Sequence, residues 1–205
     1  MTVDVAAGKN RSYHHGDLKT ALLDRSLEIL ECEGIEGLSL RAVARRAGVS
    51  QAAPYGHFRD KQALLAAVAA VGFRRLTAQL SDRGAGASDS GGRIAALGRG
   101  YVEFATENPA LFRLMFGRQL SSRFAEDGDL QTAASAAFAV ISDAVSTHLG
   151  AIGGREDPLL ATQTAWALVH GLSYLIIEHM LGEQCEVDTD GLVERATRIL
   201  VAGLS

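Results

Sequence analysis

The sequence predicts an all-α protein, and three observations carry that prediction. Alternating Val/Ile/Thr runs between Asn-Gly or Asp-Gly turns are missing, and Ala, Leu, Glu and Arg dominate. The apolar residues of the first long segment (Leu18, Leu22, Leu23, Ile29 and Leu30) fall on one helical face. At 205 residues and 47% hydrophobic content, the chain suits one compact domain with an appendage, or two modest domains. About nine helices are expected.

Residues 1–16 are polar and read as a tail. Asp17 is the expected cap of the first helix, which Gly34 and Gly37 stop. Ser39 offers a hydroxyl as N-cap of a short second helix, Leu40–Ala47, with Gly48 as its left-handed turn. Ser50 is expected to cap a third helix of about two turns ending near Phe58, and Asp60 a longer fourth. Residues 83–92, RGAGASDSGG, have too few apolar groups to pack and read as a flexible connector. Beyond them, helices are expected over 93–107, from an Asn108–Pro109 start, over 129–149, from Asp157–Pro158 to about 181, and over 189–204. The corresponding division is 13–60 as a helix-turn-helix domain, 61–82 as a connecting helix, 83–92 as linker, and 93–205 as a C-terminal domain.

Composition narrows the function. The longest apolar stretch, near Leu172, reads as too short to span a bilayer, and no signal-peptide core opens the chain. A cytoplasmic, nucleoid-associated bacterial protein is the expectation, the bacterial source hinted by 17 Arg against 3 Lys. Cys32 and Cys185 lack metal-ligand spacing and read as reduced thiols. The net charge of −4 is unevenly spread. Residues 1–75 hold 11 Lys/Arg against 8 Asp/Glu, whereas residues 76–205 hold 9 against 16. A cationic head on an acidic body suits DNA contact at one end.

The informative segment is SLRAVARRAGVSQAAPYGHFRDKQALL. Ala44 and Ala47 are small enough for two helices to cross around a tight turn at Gly48, and Val49 plugs the gap between them. Arg41, Arg45 and Arg46 ring the second helix, while Tyr55, His57 and Lys61 cluster at the third and fourth. Lys61 stands beside a helix N-terminus, a favourable place for an anion.

Over residues 13–73 this sequence resembles the N-terminal domain of TetR-family regulators, through A-[VI]-A-x-x-A-G-V-S followed by Y-x-H-F-x-x-K-x-x-L. The resemblance implies phosphate contacts by Ser39, Arg41, Tyr55, His57 and Lys61. It implies a base-reading face of Gln51, Ala52 and Ala53, opened by Ser50. Gln51 is the expected direct reader, since its amide can pair bidentately with adenine. Gly56 leaves bare a slot that relatives fill with a large side chain, and Pro54 is awkward inside so short a helix. Backbone contacts and DNA shape are therefore expected to carry much of the recognition. An arm of Lys9, Arg11, His14 and His15 is expected to add phosphate or minor-groove contacts.

The C-terminal part resembles the WHG-type domain of some TetR-like regulators, through NPALFRLMF and AWALVHGL, the latter containing Trp166, His170 and Gly171. Trp166, His170 and Tyr174 are four apart and share a helical face. With Tyr101, Phe112, Met115 and Phe116 they form the expected lining of a small-molecule pocket. The competing reading makes the same residues core, with His170 hydrogen-bonded inside it. No metal site or cofactor is expected. The resemblance further implies a homodimer through the last two helices, using Ala161, Ala165, Leu168, Leu172, Leu175, Leu192, Ile199 and Leu200.

Together these residues point to a dimeric repressor of a palindromic operator, released by a small ligand. One alternative keeps the head but makes the C-terminal domain a ligand-free dimerisation module. The other is a helical enzyme using His170 or Tyr174, for which no nucleophile–base set or nucleotide fingerprint is present.

Overall fold

The computed structural model describes residues 15–121, 123–181 and 188–204. Among them there are eight α-helices, three 3-10 turns and no strand. The helices are α1 His15–Gly37, α2 Leu40–Ala47, α3 Lys61–Ala85, α4 Ser90–Glu107, α5 Pro109–Met115, α6 Gly128–Ile152, α7 Pro158–Ile177 and α8 Thr189–Gly203.

Capping chemistry sets most boundaries. The Ser39 hydroxyl accepts from the Ala42 amide at 3.1 Å, and Gly48, at φ 68°, closes α2 in the left-handed region. Asp60 caps α3 through the Ala63 amide at 2.7 Å, and Asp157 caps α7 through Leu160 at 2.9 Å, with Pro158 in the first turn. Among the α-helices, two caps differ from expectation. α1 starts at His15, upstream of Asp17. Asn108 turns its amide back to the Phe104 carbonyl at 3.0 Å, so it closes α4 and does not cap α5.

The expected third helix is only a 3-10 turn, Ala53–Gly56, preceded by Ala52 with no side-chain cap bond. Pro54 brings no amide hydrogen and Gly56 no helix preference, so four residues tighten into one turn instead of winding two. The expected connector at 83–92 is also mostly helical. α3 runs to Ala85 because Gly84 lies against Leu97, and α4 starts at Ser90 because Asp89 caps it through Gly92 at 2.7 Å.

α3 is the central strut. It packs mainly on α6 and α4, while α4 also packs on α7 and α8. One apolar cluster runs from Leu22 and Val43 in the first two helices, through Leu64 to Leu80 of α3, to Leu149. The first helices and the rest of the bundle thus share a core. A close crossing joins α4 to α8 and α7, where a Cβ on Gly98 would stand 2.5 Å from Thr197 and 3.4 Å from Val169.

By length and composition, α3, α6 and α7 are apolar enough to cross a membrane, which corrects the reading of the apolar stretches. Their alanine content raises hydropathy, and each buries part of its apolar face in the bundle.

Candidate functional site

The α2–Gly48–turn unit presents one continuous polar surface. Gln51, Ala52 and Tyr55 are exposed, Tyr55 at 53%, and Ala53 is half-buried. Pro54 and Phe58 hold the turn down by burying their rings. Arg41 is exposed and makes no ion pair with a described residue. Arg45 is placed likewise, a cation the family-derived set omitted although its spacing from Arg41 puts both on one helical face. Arg46 differs: it binds Glu33 of α1 at 2.8 Å, with Glu28 at 3.9 Å. Ser39 has its hydroxyl committed to capping. Ser50 is exposed and lends its carbonyl to the Ala53 amide at 3.0 Å. His57 is half-buried beside Phe58, ring centroids 6.4 Å apart. Lys9, Arg11 and His14 lie outside the described residues, as does Cys185, while Cys32 is exposed on α1.

Two bonds tie this surface to the body. Lys61 Nζ donates at 3.3 Å to the Ile35 carbonyl, which also accepts the Leu38 amide at 3.2 Å, just past the break of α1 at Gly34 with φ 70°. Asp60 uses one carboxylate oxygen to cap α3. The other accepts from Arg59 at 3.2 Å and from Arg123, 63 residues away, at 3.4 Å. The Ala63 amide, aided by both guanidinium groups, holds the Asp60 carboxyl below its ordinary 3.8. Arg123 is only 16% exposed, and the next residue, Phe124, faces a cavity.

That cavity, about 940 Å³, lies between α3, α6, α7 and the loop joining α5 to α6. Phe73 and Leu76 line it from α3, Phe116, Arg118, Ser121 and Phe124 from the loop, and Trp166 from α7. α6 contributes Ala134, Ser135, Ala137, Phe138, Ile141 and Ser142. Small residues on α6 keep its backbone low while rings stand around it, leaving room for an apolar guest.

Only Phe116 and Trp166 of the expected pocket residues line it. Tyr101, Phe112 and Met115 are fully buried instead, and His170 and Tyr174 are half-buried beside them. These rings form a packed wall behind the cavity. Phe112 lies 4.9 Å from Phe116 and 5.4 Å from both His170 and Tyr174, centroid to centroid. Trp166 Nε1 donates to the Tyr101 oxygen at 3.1 Å, and that oxygen lies 2.8 Å from His170 Nδ1. Indole can only donate, so every group is satisfied when the Tyr101 hydroxyl donates onward to a neutral His170. Burial favours the same state, raising the Tyr101 hydroxyl and lowering His170. The signal for the cavity was present in the chain as the run of Ala and Ser over 132–146.

Two matches bear on ancestry. Residues 22–68 match the bacterial regulatory proteins of the tetR family. Residues 94–200, more than half of the chain, match the tetracyclin repressor-like C-terminal domain. The chain belongs to the TetR family. Among solved TetR-like folds, a protein of unknown function from Rhodococcus sp. RHA1 is 38% identical with a TM-score of 0.82, over 95% of this chain and 99% of that one. FadR from Bacillus subtilis, solved in complex with stearoyl-CoA, shares the fold at 12% identity and a TM-score of 0.72, over 91% of this chain and all of that one. The uncharacterized HTH-type transcriptional regulator YobS of Bacillus subtilis is 31% identical over 91 residues, 44% of this chain and 47% of YobS. The class C tetracycline repressor of Escherichia coli is 47% identical over 51 residues, 25% of this chain and 23% of that protein. The matched part therefore spans less than half the length of these two curated relatives.

Proposed function

We propose that this TetR-family chain is a cytoplasmic transcriptional regulator, not an enzyme, acting as a dimeric repressor released from a palindromic operator by a small ligand in the cavity. The observation that carries the reading is the physical link between the two sites. Phe124 faces the cavity, and Arg123 beside it holds Asp60, the cap of the helix that begins at Lys61. A ligand that displaces Phe124 pulls on Arg123, and the N-terminal end of α3 shifts with the DNA-facing turn. The ligand must bind the released arrangement better by the free energy it transfers, typically ~1–3 kcal/mol.

The DNA surface is Arg41, Arg45, Gln51, Tyr55, His57 and Lys61, with Ser39 positioning α2. Dimerisation through α7 and α8 is supported by the apolar side chains they leave exposed: Leu159, Leu160, Leu175 and Ile199. The interface list is revised accordingly. Ala161, Ala165 and Leu172 are buried within the protomer, whereas Leu159 and Leu160 face outward. Gly171 is also exposed, with open space where a Cβ would stand, so it makes no crossing inside the protomer. The alternative of a ligand-free dimerisation module is weakened by the size of the cavity.

The test is fluorescence anisotropy on the protein's own promoter. Affinity falls steeply as salt rises. Arg123→Ala leaves the DNA surface intact but alters affinity through α3. Salt-independent binding, or Arg123→Ala indistinguishable from wild type, would count against the reading.

A further inference from the structure

We infer that the cavity is built for an elongated apolar organic anion whose acidic group is held by Arg118. The inference rests on the cavity being the effector site and names the ligand class. Five rings surround the space: Phe73, Phe116, Phe124, Phe138 and Trp166. The serines among the lining residues are neutral. Of the described lining residues, two are charged, Arg118 and Asp143. Asp143 is already neutralised by Arg93 at 2.9 Å. Arg118 is exposed at the rim and makes no ion pair with any described residue. Its backbone is fixed, because the Arg118 carbonyl accepts the Ser121 hydroxyl at 2.8 Å and closes a 3-10 turn, Arg118–Leu120.

The cavity therefore carries one unspent positive charge beside an apolar interior. A cation is repelled there, and a neutral guest leaves the guanidinium to water. An acidic group takes up its planar donor fork, and the apolar surroundings strengthen that pair relative to bulk water. The lining residues of α6 extend from Ala134 to Ser146, which is ~18 Å of helix at 1.5 Å per residue. A long or polycyclic acid fits this shape better than a compact one.

Trp166 is the single tryptophan of the chain and lines the cavity, so its fluorescence reports occupancy directly. The full-length protein is titrated with 1-anilinonaphthalene-8-sulfonate and with N-phenyl-1-naphthylamine, the same ring frame without the sulfonate. Both quench Trp166. Arg118→Gln weakens the sulfonate about 10- to 100-fold and leaves the neutral amine unchanged, and Arg118→Lys recovers part of the loss. Because Arg118 is exposed, an unchanged melting temperature verifies that the variants fold. If Arg118→Gln affects both probes equally or neither, the anionic class is wrong while the cavity remains an effector site. If neither probe quenches Trp166, the ligand class and the effector reading fall together.

Discussion

The DNA-facing head and the cavity-bearing body obey the same packing rules but place their chemistry oppositely with respect to the core. In the head, the side chains proposed to meet DNA stand outside. Tyr55, Gln51, Arg41 and Arg45 are exposed on a frame that Pro54, Phe58 and Val43 anchor beneath. In the body, the cavity is a space the core declines to fill, and the polar groups of the wall behind it, Tyr101 and His170, are bonded to one another. Removing a head residue should therefore cost binding without stability, whereas removing a wall residue should cost stability first.

The sharpest break of that contrast is Phe112→Ala. Phe112 is fully buried among Tyr101, Phe116, His170 and Tyr174, and its loss is expected to destabilise the protein by ~3–5 kcal/mol in urea unfolding. A cost below ~1 kcal/mol would mean that the wall is loose and part of the guest space after all. Next comes Tyr55→Ala. Its unfolding free energy should stay within ~0.5 kcal/mol of wild type, while DNA affinity falls about tenfold. Loss of stability there would make Tyr55 a packing residue.

Ser39→Ala sharpens the boundary between the two kinds of residue. Its hydroxyl caps α2, so removing it should cost ~1 kcal/mol of stability and weaken DNA binding only through that helix. The smallest effect concerns pH. Burial keeps the folded-state pKa of His170 below its ordinary 6.5. On acidification through ~6.5 the unfolded chain gains a proton that the folded chain refuses, so stability declines until the lower folded value is passed. Melting temperatures between pH 7 and 5 should fall less for His170→Gln than for wild type. Asp60 does not confuse this window, because its loss of stabilisation begins only near its ordinary 3.8 and below.

What could be read in the chain divides along the same line. The head's frame was legible because its determinants are local. Ser39, Gly48 and Asp60 each act within three or four residues, and each does so in the structure. The all-α class followed from patterns of the same range. The turn at Ala53–Gly56 was overestimated because two turns of helix were assumed around Pro54 and Gly56, which tighten the segment to one. The cavity was misplaced for a different reason. Helical spacing correctly set Trp166, His170 and Tyr174 on one face, but spacing along α7 does not say which side of that face meets empty space. That depends on Ala134 and Ala137 of α6 standing opposite Phe73 of α3. Residues 83–92 misled through composition. Gly84 allows close packing of α3 on Leu97 of α4, and Gly91 a close approach to Val201 of α8, as readily as glycine permits disorder.

The brevity of the DNA-facing turn has a consequence for information. From Gln51 through the turn to Gly56, six residues at ~2 Å per residue span ~12 Å, between three and four steps of a duplex that rises 3.4 Å per base pair. So short a probe can interrogate few letters directly, and near-matches to any such word recur throughout a genome. In the proposed dimer, discrimination would then be written in geometry, in the distance and phase between two brief words. A small rotation of α3 would rewrite that distance without altering a single base contact.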